Sequence, residues 1–371
     1  MSIEQKLSKD GLHKLLALDG GGIRGIITIE LLGRIESLLQ QALGSDDTFV
    51  LSDYFDYIAG TSTGAIIATC LSLGKRVDWI RNFYLTSGKE MFDPAFLLQQ
   101  YYYKYKDDRL ASLLRAELGD TTTLGSDKLK TLLLLIMRNA TTDSPWPISN
   151  NPKAKYNDVG RSDYNLNFPL WQLVRASTAA PTYFPPELID VGNKQFIFVD
   201  GGVTMYNNPA FQLFLMATIE AYNLEWLASE KNMLLVSIGT GTSASANVNL
   251  KVGELNLLFN ARSIPAALMY AAQIEQDFLC RVFGKCLFGD ILDREVGNMI
   301  GKHGPIEPKL FTYVRYNADL SREGLNDLHL LNVRPEDVQK LDTVDHVNDL
   351  QLVGKAAAER VNVDHFAGFL Q

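Results

Sequence analysis

The sequence predicts an α/β fold in which a mostly parallel sheet carries helices on both faces. Four short apolar segments, each as long as a strand, end in glycine-containing turns at Asp19, Gly60, Asp200 and Gly239. Helical patterns separate these segments, and such alternation of strands and helices is typical of parallel sheets. No internal repeat or low-complexity linker interrupts the pattern, so we expect a single domain.

The first strand is predicted at residues 14–18, and Asp19-Gly-Gly-Gly-Ile-Arg-Gly25 follows it directly. An amphipathic helix comes next, because Ile29, Leu32 and Ile35 recur at helical spacing. A glycine-rich loop between a strand and a helix exposes several backbone N–H groups. Such groups bind an anion, which here is either a phosphate or an oxyanion.

Three glycines of this loop, Gly20, Gly21 and Gly22, leave its backbone open to a ligand, and Arg24 adds a positive charge. The dinucleotide-binding pattern G-x-G-x-x-G can also be matched to residues 20–25. That pattern needs an acidic residue about 20 residues further on, at the end of a second strand. No clear strand and acid of that kind are present, so we expect no cofactor.

The second strand ends in a serine flanked by glycines. Residues 57–59 lead into Gly60-Thr-Ser-Thr-Gly64, and the apolar segment Ala65–Leu73 predicts a buried helix. G-x-S-x-G between a strand and a helix permits a sharp turn that lifts the serine hydroxyl towards the helix N-terminus, where developing negative charge is favoured. Ser62 is therefore a candidate nucleophile; the alternative is a serine that only caps the helix.

The middle of the chain contains several further elements. Residues 75–120 look helical and include the aromatic and basic cluster Tyr101–Lys106, which we interpret as a half-buried helix face rather than a lipid-contacting one. The other predicted elements, in chain order, are a buried strand at Leu129–Arg138, a short strand at Ile148–Ser149, a polar loop at 150–165, a helix at Phe168–Ala180 and a hairpin over Glu187–Val199.

The last strand of this hairpin ends at Asp200-Gly201-Gly202. An acidic residue at the carboxyl end of a strand lies where open α/β sheets place their active sites, so Asp200 is a second candidate. The alternative is an aspartate that only satisfies nearby N–H groups of a turn. A further strand, Met233–Ile238, ends in Gly239-Thr-Gly241.

Beyond Thr242 the chain is predicted to be largely helical. The predicted elements are an amphipathic helix over Ile264–Phe288, a loop at Gly301–Pro308, a strand at Lys309–Arg315 and helices within Pro335–Val361. The apolar side chains of residues 278–283 are ascribed to core packing rather than to an acyl pocket or a dimer contact.

Composition excludes several classes of protein. The 371 residues are 46% hydrophobic and 21% charged, and the net charge of -8 argues against nucleic acid as a partner and against a polybasic membrane anchor. The three cysteines form no metal-ligand pattern and suit a reducing compartment. The polar N-terminus does not resemble a signal peptide, and no apolar run is long enough to span a bilayer. We therefore expect a soluble, cytoplasmic protein.

Three motifs in order, Asp19–Gly25, Gly60–Gly64 and Asp200–Gly202, resemble those of the patatin-like phospholipases, as do residues 176–184 and 207–209. The resemblance covers roughly residues 14–241. It implies a three-layer α/β/α sandwich that hydrolyses acyl esters of phospholipids and other lipids without a metal. In the site that the resemblance implies, Ser62 is the nucleophile and Asp200 is its partner in a dyad. The backbone of the glycine loop, at Gly20, Gly21 and Gly22, forms the oxyanion hole. Arg24 lies beside that loop, and Asp19 holds the loop in place.

The resemblance also suggests how the chain is divided: an N-terminal tail at 1–13, a catalytic core at 14–245, and a mainly helical C-terminal region at 246–371 packed on that core. The implied partner is a phospholipid or another acyl lipid, and any contact with a membrane is expected to be peripheral and transient. The head group, the acyl position cleaved, an activator and a homo-oligomer are left open.

Three other interpretations compete with the dyad. A Ser–His–Asp hydrolase would pair Ser62 and Asp200 with one of the histidines further along the chain, which are His303, His329, His346 and His365. A sugar kinase of the actin-like class would use residues 18–22 and 239–241 to bind ATP phosphates. A lipid-binding or storage protein would keep the fold with little catalysis, and an intact Ser62, Asp200 and glycine loop argue against it.

Overall fold

A computed structural model describes residues 3–92, 109–181, 183–242 and 257–371 of the protein. Its nine strands are β1 His13–Leu18, β2 Tyr57–Thr61, β3 Leu132–Asn139, β4 Ser144–Ser149, β5 Glu187–Val191, β6 Lys194–Asp200, β7 Met233–Ile238, β8 Lys285–Phe288 and β9 Thr312–Tyr316. Its α-helices are α1 Ile3–Lys6, α2 Gly25–Ala42, α3 Leu51–Tyr54, α4 Thr63–Ser72, α5 Val77–Phe92, α6 Arg109–Leu118, α7 Leu170–Ser177, α8 Ala210–Thr218, α9 Leu257–Phe283, α10 Arg322–Asp327, α11 Pro335–Val338 and α12 Val347–Ala358. The predicted cluster Tyr101–Lys106 lies outside the described residues.

All nine strands form one sheet, with pairing that runs β5-β6-β3-β2-β1-β7-β9-β8 and with β4 also paired to β3. The central strands β3, β2, β1, β7, β9 and β8 are parallel, whereas β4, β5 and β6 make antiparallel pairs. The carboxyl ends of β1, β2 and β7 therefore meet at one edge of the sheet. The glycine loop, the serine turn and Gly239-Thr-Gly241 all begin at that edge.

Alternate residues of the central strands pack into two separate cores. On β1, Leu16 and Leu18 face a core shared with α2, α4 and α5, whereas Leu15 and Ala17 face a core shared with α8. Both faces of the strand are buried because helices cover the sheet on each side, which explains why parallel strands appear as unbroken apolar runs in the sequence. The predicted three-layer α/β/α fold with a mostly parallel sheet is confirmed.

Two local predictions differ from the structure. The helix predicted to reach Phe288 ends at Phe283, and Lys285–Phe288 is instead the edge strand β8, parallel to β9. Gly284 separates the helix from the strand, and a side chain there would overlap the ring of Phe311. Strand β4 begins at Ser144, earlier than predicted. Pro145 and Pro147 lack a backbone N–H, but β4 pairs only with β3. On its other side no strand needs an N–H donor, so an edge strand tolerates proline.

The segments on either side of the predicted core are held against it. Within residues 1–13, predicted as a tail, the Lys6 ammonium is buried and donates to the carbonyls of Ser52 (2.9 Å) and Phe55 (2.6 Å). Within residues 246–371, the described chain supplies β8 and β9 to the sheet, and α12 packs on α2. Among helices of the described residues, none is both long enough and apolar enough to cross a bilayer.

Candidate active site

Ser62 stands in a strained turn between β2 and α4. Its backbone has a φ of 55° and a ψ of -124°, a positive φ that side-chain-bearing residues rarely adopt. The N–H of Ser62 donates to Ser177 Oγ (3.0 Å), and its carbonyl accepts the Ala65 N–H of the first helical turn (2.8 Å). These two hydrogen bonds stabilise the strained backbone of Ser62 and hold its hydroxyl at the N-terminus of α4.

The two glycines of G-x-S-x-G are required by close backbone approach. A side chain at Gly60 would overlap the Gly64 carbonyl, and one at Gly64 would overlap the Leu18 carbonyl at the end of β1. The motif therefore allows two things at once, the sharp reversal at Ser62 and direct packing of α4 on β1. Both follow from the absence of Cβ atoms at those positions.

The pairing of β3 explains why Asp200 lies beside Ser62. On one side of β3, the parallel strand β2 ends with Thr61 opposite Ile136. The antiparallel strand β6 ends with Asp200 opposite the next β3 residue, Met137. Since β4 occupies the other side of β3 along this stretch, β2 and β6 share one side and meet end to end. The residues that follow Thr61 and end β6 must therefore be neighbours.

The two side chains are hydrogen-bonded. Ser62 Oγ donates to Asp200 Oδ2 at 2.7 Å, and Gly202 N–H donates to Asp200 Oδ1 at 2.6 Å. The backbone N–H of Asp200 donates to the Ala179 carbonyl (2.9 Å). Asp200 is 4% exposed and Ser62 9% exposed. Burial raises the pKa of the Asp200 carboxyl to about 6, although the bonds from Ser62 and Gly202 and the charge of Arg175 oppose the rise.

Hydrogen bonds from three parts of the chain hold the peptide units of the glycine loop in place. Gly20 N–H donates to the Asn207 carbonyl (3.0 Å), and the Gly20 carbonyl accepts the Thr240 hydroxyl (2.9 Å). The Gly21 carbonyl accepts the Arg24 N–H (3.2 Å). Because the Gly20 N–H already has an acceptor, Gly20 shapes the predicted oxyanion hole but does not offer it a donor.

The N–H groups of Gly21 and Gly22 have no acceptor among the described residues. Gly22 has a φ of +58°, and a side chain there would overlap the Leu341 carbonyl, which accepts the Ile23 N–H (3.0 Å). The loop approaches Ser62 closely, since a Cβ on Gly20 would lie 3.2 Å from Ser62 Cβ. Two backbone donors without an acceptor, on a loop that passes beside Ser62, make this loop a candidate oxyanion hole.

A buried ion pair anchors the start of this loop. Arg315 on β9 donates to both carboxylate oxygens of Asp19, at 2.9 and 2.5 Å, and to Ser237 Oγ at 2.7 Å. Gln273 of α9 also donates to Asp19. Burial lowers the pKa of the Arg315 guanidinium, but the charge and hydrogen bonds of Asp19, together with Tyr313 and Asp277, outweigh burial, and the net shift is upward. The guanidinium is therefore charged throughout the working pH range and compensates Asp19.

Arg24 follows the glycine loop in the chain, and its guanidinium Nη1 donates to the Gln339 carbonyl (3.1 Å). Burial lowers its pKa to about 10, against the opposing charge of Asp19. Arg24 therefore remains charged at neutral pH. Its contacts connect the loop to the segment that follows α11.

Several supporting residues escaped the sequence analysis. Ser177 and Asn207 lie in segments that resembled the family, but their hydrogen bonds to the serine turn and the glycine loop were not predicted. Thr240 and Arg315 had no signal of their own. Thr240 and Arg315 reach the glycine loop only because β7 lies next to β1 and β9 lies next to β7 in the sheet. No local sequence pattern encodes that strand order.

The histidines stand apart from the dyad. All five lie within the described residues, and none hydrogen-bonds to Ser62 or Asp200. The side chain of His303, one of the four histidines considered for a triad, is 94% exposed and faces Glu307. His365 bonds to Tyr316 instead (2.7 Å).

One group of side chains in the described residues has the spacing of a metal site, namely Asp337, His346 and Asp349. Arg334 donates to both carboxylate oxygens of Asp337, at 2.7 and 3.0 Å, so a cation already compensates that ligand. His346 Nδ1 lies 3.0 Å from Asp349. The group lies on the segments that flank residues 339–345, and none of its members hydrogen-bonds to Ser62 or Asp200.

The fold and the site define an α/β/α protein with a serine turn facing an acidic strand end. A model of the patatin-like phospholipase family matches residues 16–214, more than half of the chain. The protein therefore belongs to the patatin-like phospholipase family. Membership decides against the sugar-kinase interpretation.

Known proteins are similar to the chain to different extents. The chain is 30% identical to Patatin-17 of Solanum cardiophyllum over 247 residues, which cover 62% of this chain and 61% of that protein. It is 31% identical to the intracellular phospholipase A2 of Caenorhabditis elegans over 233 residues, which cover 61% of this chain and 19% of that protein. VipD from Legionella pneumophila aligns with 92% of this chain and 67% of its own, at 15% identity and a TM-score of 0.38.

Proposed function

We propose that the protein is a lipid acyl hydrolase that cleaves acyl esters of phospholipids or related lipids through a Ser62–Asp200 dyad. The observation that carries this proposal is the 2.7 Å hydrogen bond from Ser62 Oγ to Asp200 Oδ2, formed in a strained and buried turn. Family membership and relatives named as phospholipase and patatin support the reaction class. The chain spans 61% of Patatin-17, so its own substrates are part of the proposal.

In the first step, Ser62 Oγ attacks the carbonyl carbon of the ester, and the serine proton passes to Asp200 Oδ2. The carbonyl oxygen takes up the electron pair of the broken π bond and becomes an oxyanion. The N–H groups of Gly21 and Gly22 donate to that oxygen, and the N-terminus of α4 favours the same charge. A serine hydroxyl needs such a base, and a carboxylate with a pKa near 6 is a stronger base than an exposed one.

The tetrahedral intermediate then collapses. The alcohol leaves with the proton returned by Asp200, and the acyl group stays on Ser62. Water attacks this acyl-enzyme while Asp200 takes a proton from it. Protonation of Ser62 Oγ by Asp200 releases the fatty acid and restores the dyad.

Apolar side chains border the mouth of the site. Val203 follows Asp200-Gly-Gly directly and Met205 lies two residues further on; their side chains are 39% and 46% exposed. Met269 of α9 lies beside Gly202, with its methyl 3.7 Å from the position of a Cβ there. An acyl chain would contact such surfaces in preference to water. We therefore favour a lipid ester over a small polar ester and expect contact with a lipid surface to be peripheral.

The test measures fatty-acid release from mixed phospholipid micelles in the presence of a chelator. The wild type is compared with Ser62→Ala and Asp200→Ala. We expect release by the wild type and a loss of at least about 1000-fold in each variant, because dyad members act as a unit. Exposed residues of the same types supply matched controls, Ser162→Ala and Asp190→Ala, which should keep wild-type rates.

Release that survives in Asp200→Ala would contradict the dyad. Absence of release by the wild type, together with failure of a fluorophosphonate to label Ser62, would contradict the hydrolase and favour a lipid-binding protein. Labelling of Ser62 without release would instead indicate that an activator is missing from the assay.

A further inference from the structure

We infer that Thr240 is a positioning residue for the oxyanion hole, acting through its hydroxyl on the peptide unit that joins Gly20 to Gly21. The inference rests on the proposed function and deepens it. Thr240 lies outside residues 16–214, the range matched by the family model. Its hydroxyl donates to the Gly20 carbonyl at 2.9 Å, and the residue is 1% exposed.

The sheet register brings Thr240 to this carbonyl. Strands β1 and β7 are parallel neighbours, with Leu18 opposite Ile238 at their carboxyl ends. Two residues further along each chain stand Gly20 and Thr240. The approach is so close that a side chain on Gly21 would overlap the Thr240 side chain. A glycine at position 21 is therefore needed for the contact.

The order of the strands sets the direction of the peptide. In the sheet, β1 lies between β7 and β2, so the loop after β1 has Thr240 on one side and Ser62 on the other. The carbonyl and N–H of a trans peptide point in opposite directions. When the Gly20 carbonyl points at Thr240, the Gly21 N–H points to the side of Ser62. The hydroxyl thereby selects the orientation in which the loop offers a donor to the site.

A glycine-glycine peptide needs such a partner. Glycine adopts positive and negative φ with similar ease, so sterics alone hold the Gly20–Gly21 unit weakly against a flip. A flip would replace the Gly21 N–H by a carbonyl oxygen and repel the developing oxyanion. The turn that carries Thr240 is itself fixed, because Gly241 N–H donates to Asn317 Oδ1 (2.9 Å).

The test replaces Thr240 by valine, which has the same shape without the hydroxyl. Turnover of a p-nitrophenyl fatty-acyl ester and inhibition by an alkyl trifluoromethyl ketone are measured. In the inhibited complex Ser62 Oγ adds to the ketone carbon, the serine proton passes to Asp200, and the ketone oxygen becomes an oxyanion in the hole. We expect kcat to fall about 10- to 100-fold, somewhat less than for loss of a whole donor, with KM within about 3-fold of wild type. The inhibition constant of the ketone should rise by a factor similar to the fall in kcat.

Two controls separate the hydroxyl from folding. Thr240→Ser retains the donor and should stay within about 3-fold of wild-type kcat. Thr122→Val removes a buried threonine hydroxyl that makes no hydrogen bond within the described residues, and should leave kcat and inhibition unchanged. If Thr240→Val does not fold, Thr240→Ala makes the same test and should show the same losses.

A Thr240→Val or Thr240→Ala enzyme that folds and keeps wild-type kcat and ketone inhibition would overturn the inference and leave the dyad intact. A change in KM with unchanged kcat would overturn it as well, because a misplaced oxyanion donor acts on the transition state. If the wild type neither turns over the ester nor binds the ketone, the proposed function fails, and the inference fails with it.

Discussion

The Asp200 carboxyl allows the proposed chemistry to be tested through pH. Burial raises its pKa from 3.8 to about 6, a difference of about 2. At about 1.4 kcal/mol for each pKa unit, the folded protein binds this proton more tightly than the unfolded chain by about 3 kcal/mol. Replacing Asp200 by asparagine removes the titration while keeping the shape of the side chain.

The sign follows from the direction of the shift. Because the folded pKa is the higher one, the proton's contribution to stability is fully present below about pH 4 and is lost as the pH rises through about 6. We therefore expect Asp200→Asn to gain stability relative to the wild type between pH 4 and pH 7. At the upper end of this range, the free energy of unfolding of Asp200→Asn relative to that of the wild type should have risen by about 3 kcal/mol.

Urea unfolding of both proteins across this pH range measures the difference directly. Asp190→Asn is the matched control, since Asp190 is exposed on the hairpin that leads to Asp200. The kinetic counterpart is kcat/KM for a neutral ester, which should rise tenfold per pH unit below about pH 6 and then level off. A stability difference that does not change with pH, or an acid limb centred below about pH 4.5, would refute the assignment of a buried Asp200 base.

Two further predictions concern the surroundings of the dyad. Arg315→Met should lower the free energy of unfolding in urea by about 3–5 kcal/mol, because it leaves the buried Asp19 carboxylate without its partner. The double variant Asp19→Asn with Arg315→Met should recover part of this loss, and a single variant within about 1 kcal/mol of wild type would contradict the role of the pair. His303→Ala should leave turnover and stability unchanged, since the side chain is exposed; abolished turnover in a folded variant would replace the dyad by a triad.

Local patterns in the sequence predicted much of the fold. The parallel core was predictable because strands buried on both faces form apolar runs, and because glycine-rich turns mark their carboxyl ends. The serine turn was predictable for a similar reason, since Gly60 packs against the Gly64 carbonyl and this steric requirement lies within five residues. Strand β8 was missed because Lys285–Phe288 continues the apolar spacing of the preceding helix, and only pairing with β9 makes it a strand.

The sequence by itself thus determined the class of fold, the family resemblance and the identity of Ser62 and Asp200 as candidates. Tertiary structure decided how they are held. Asp200 reaches Ser62 because β2 and β6 meet end to end on one side of β3. Thr240 and Arg315 reach the glycine loop because β7 neighbours β1 and β9 neighbours β7. These contacts join residues 138 to 296 positions apart. They depend on the order of strands in the sheet, and that order is set by the packing of the whole chain rather than by any local run of residues.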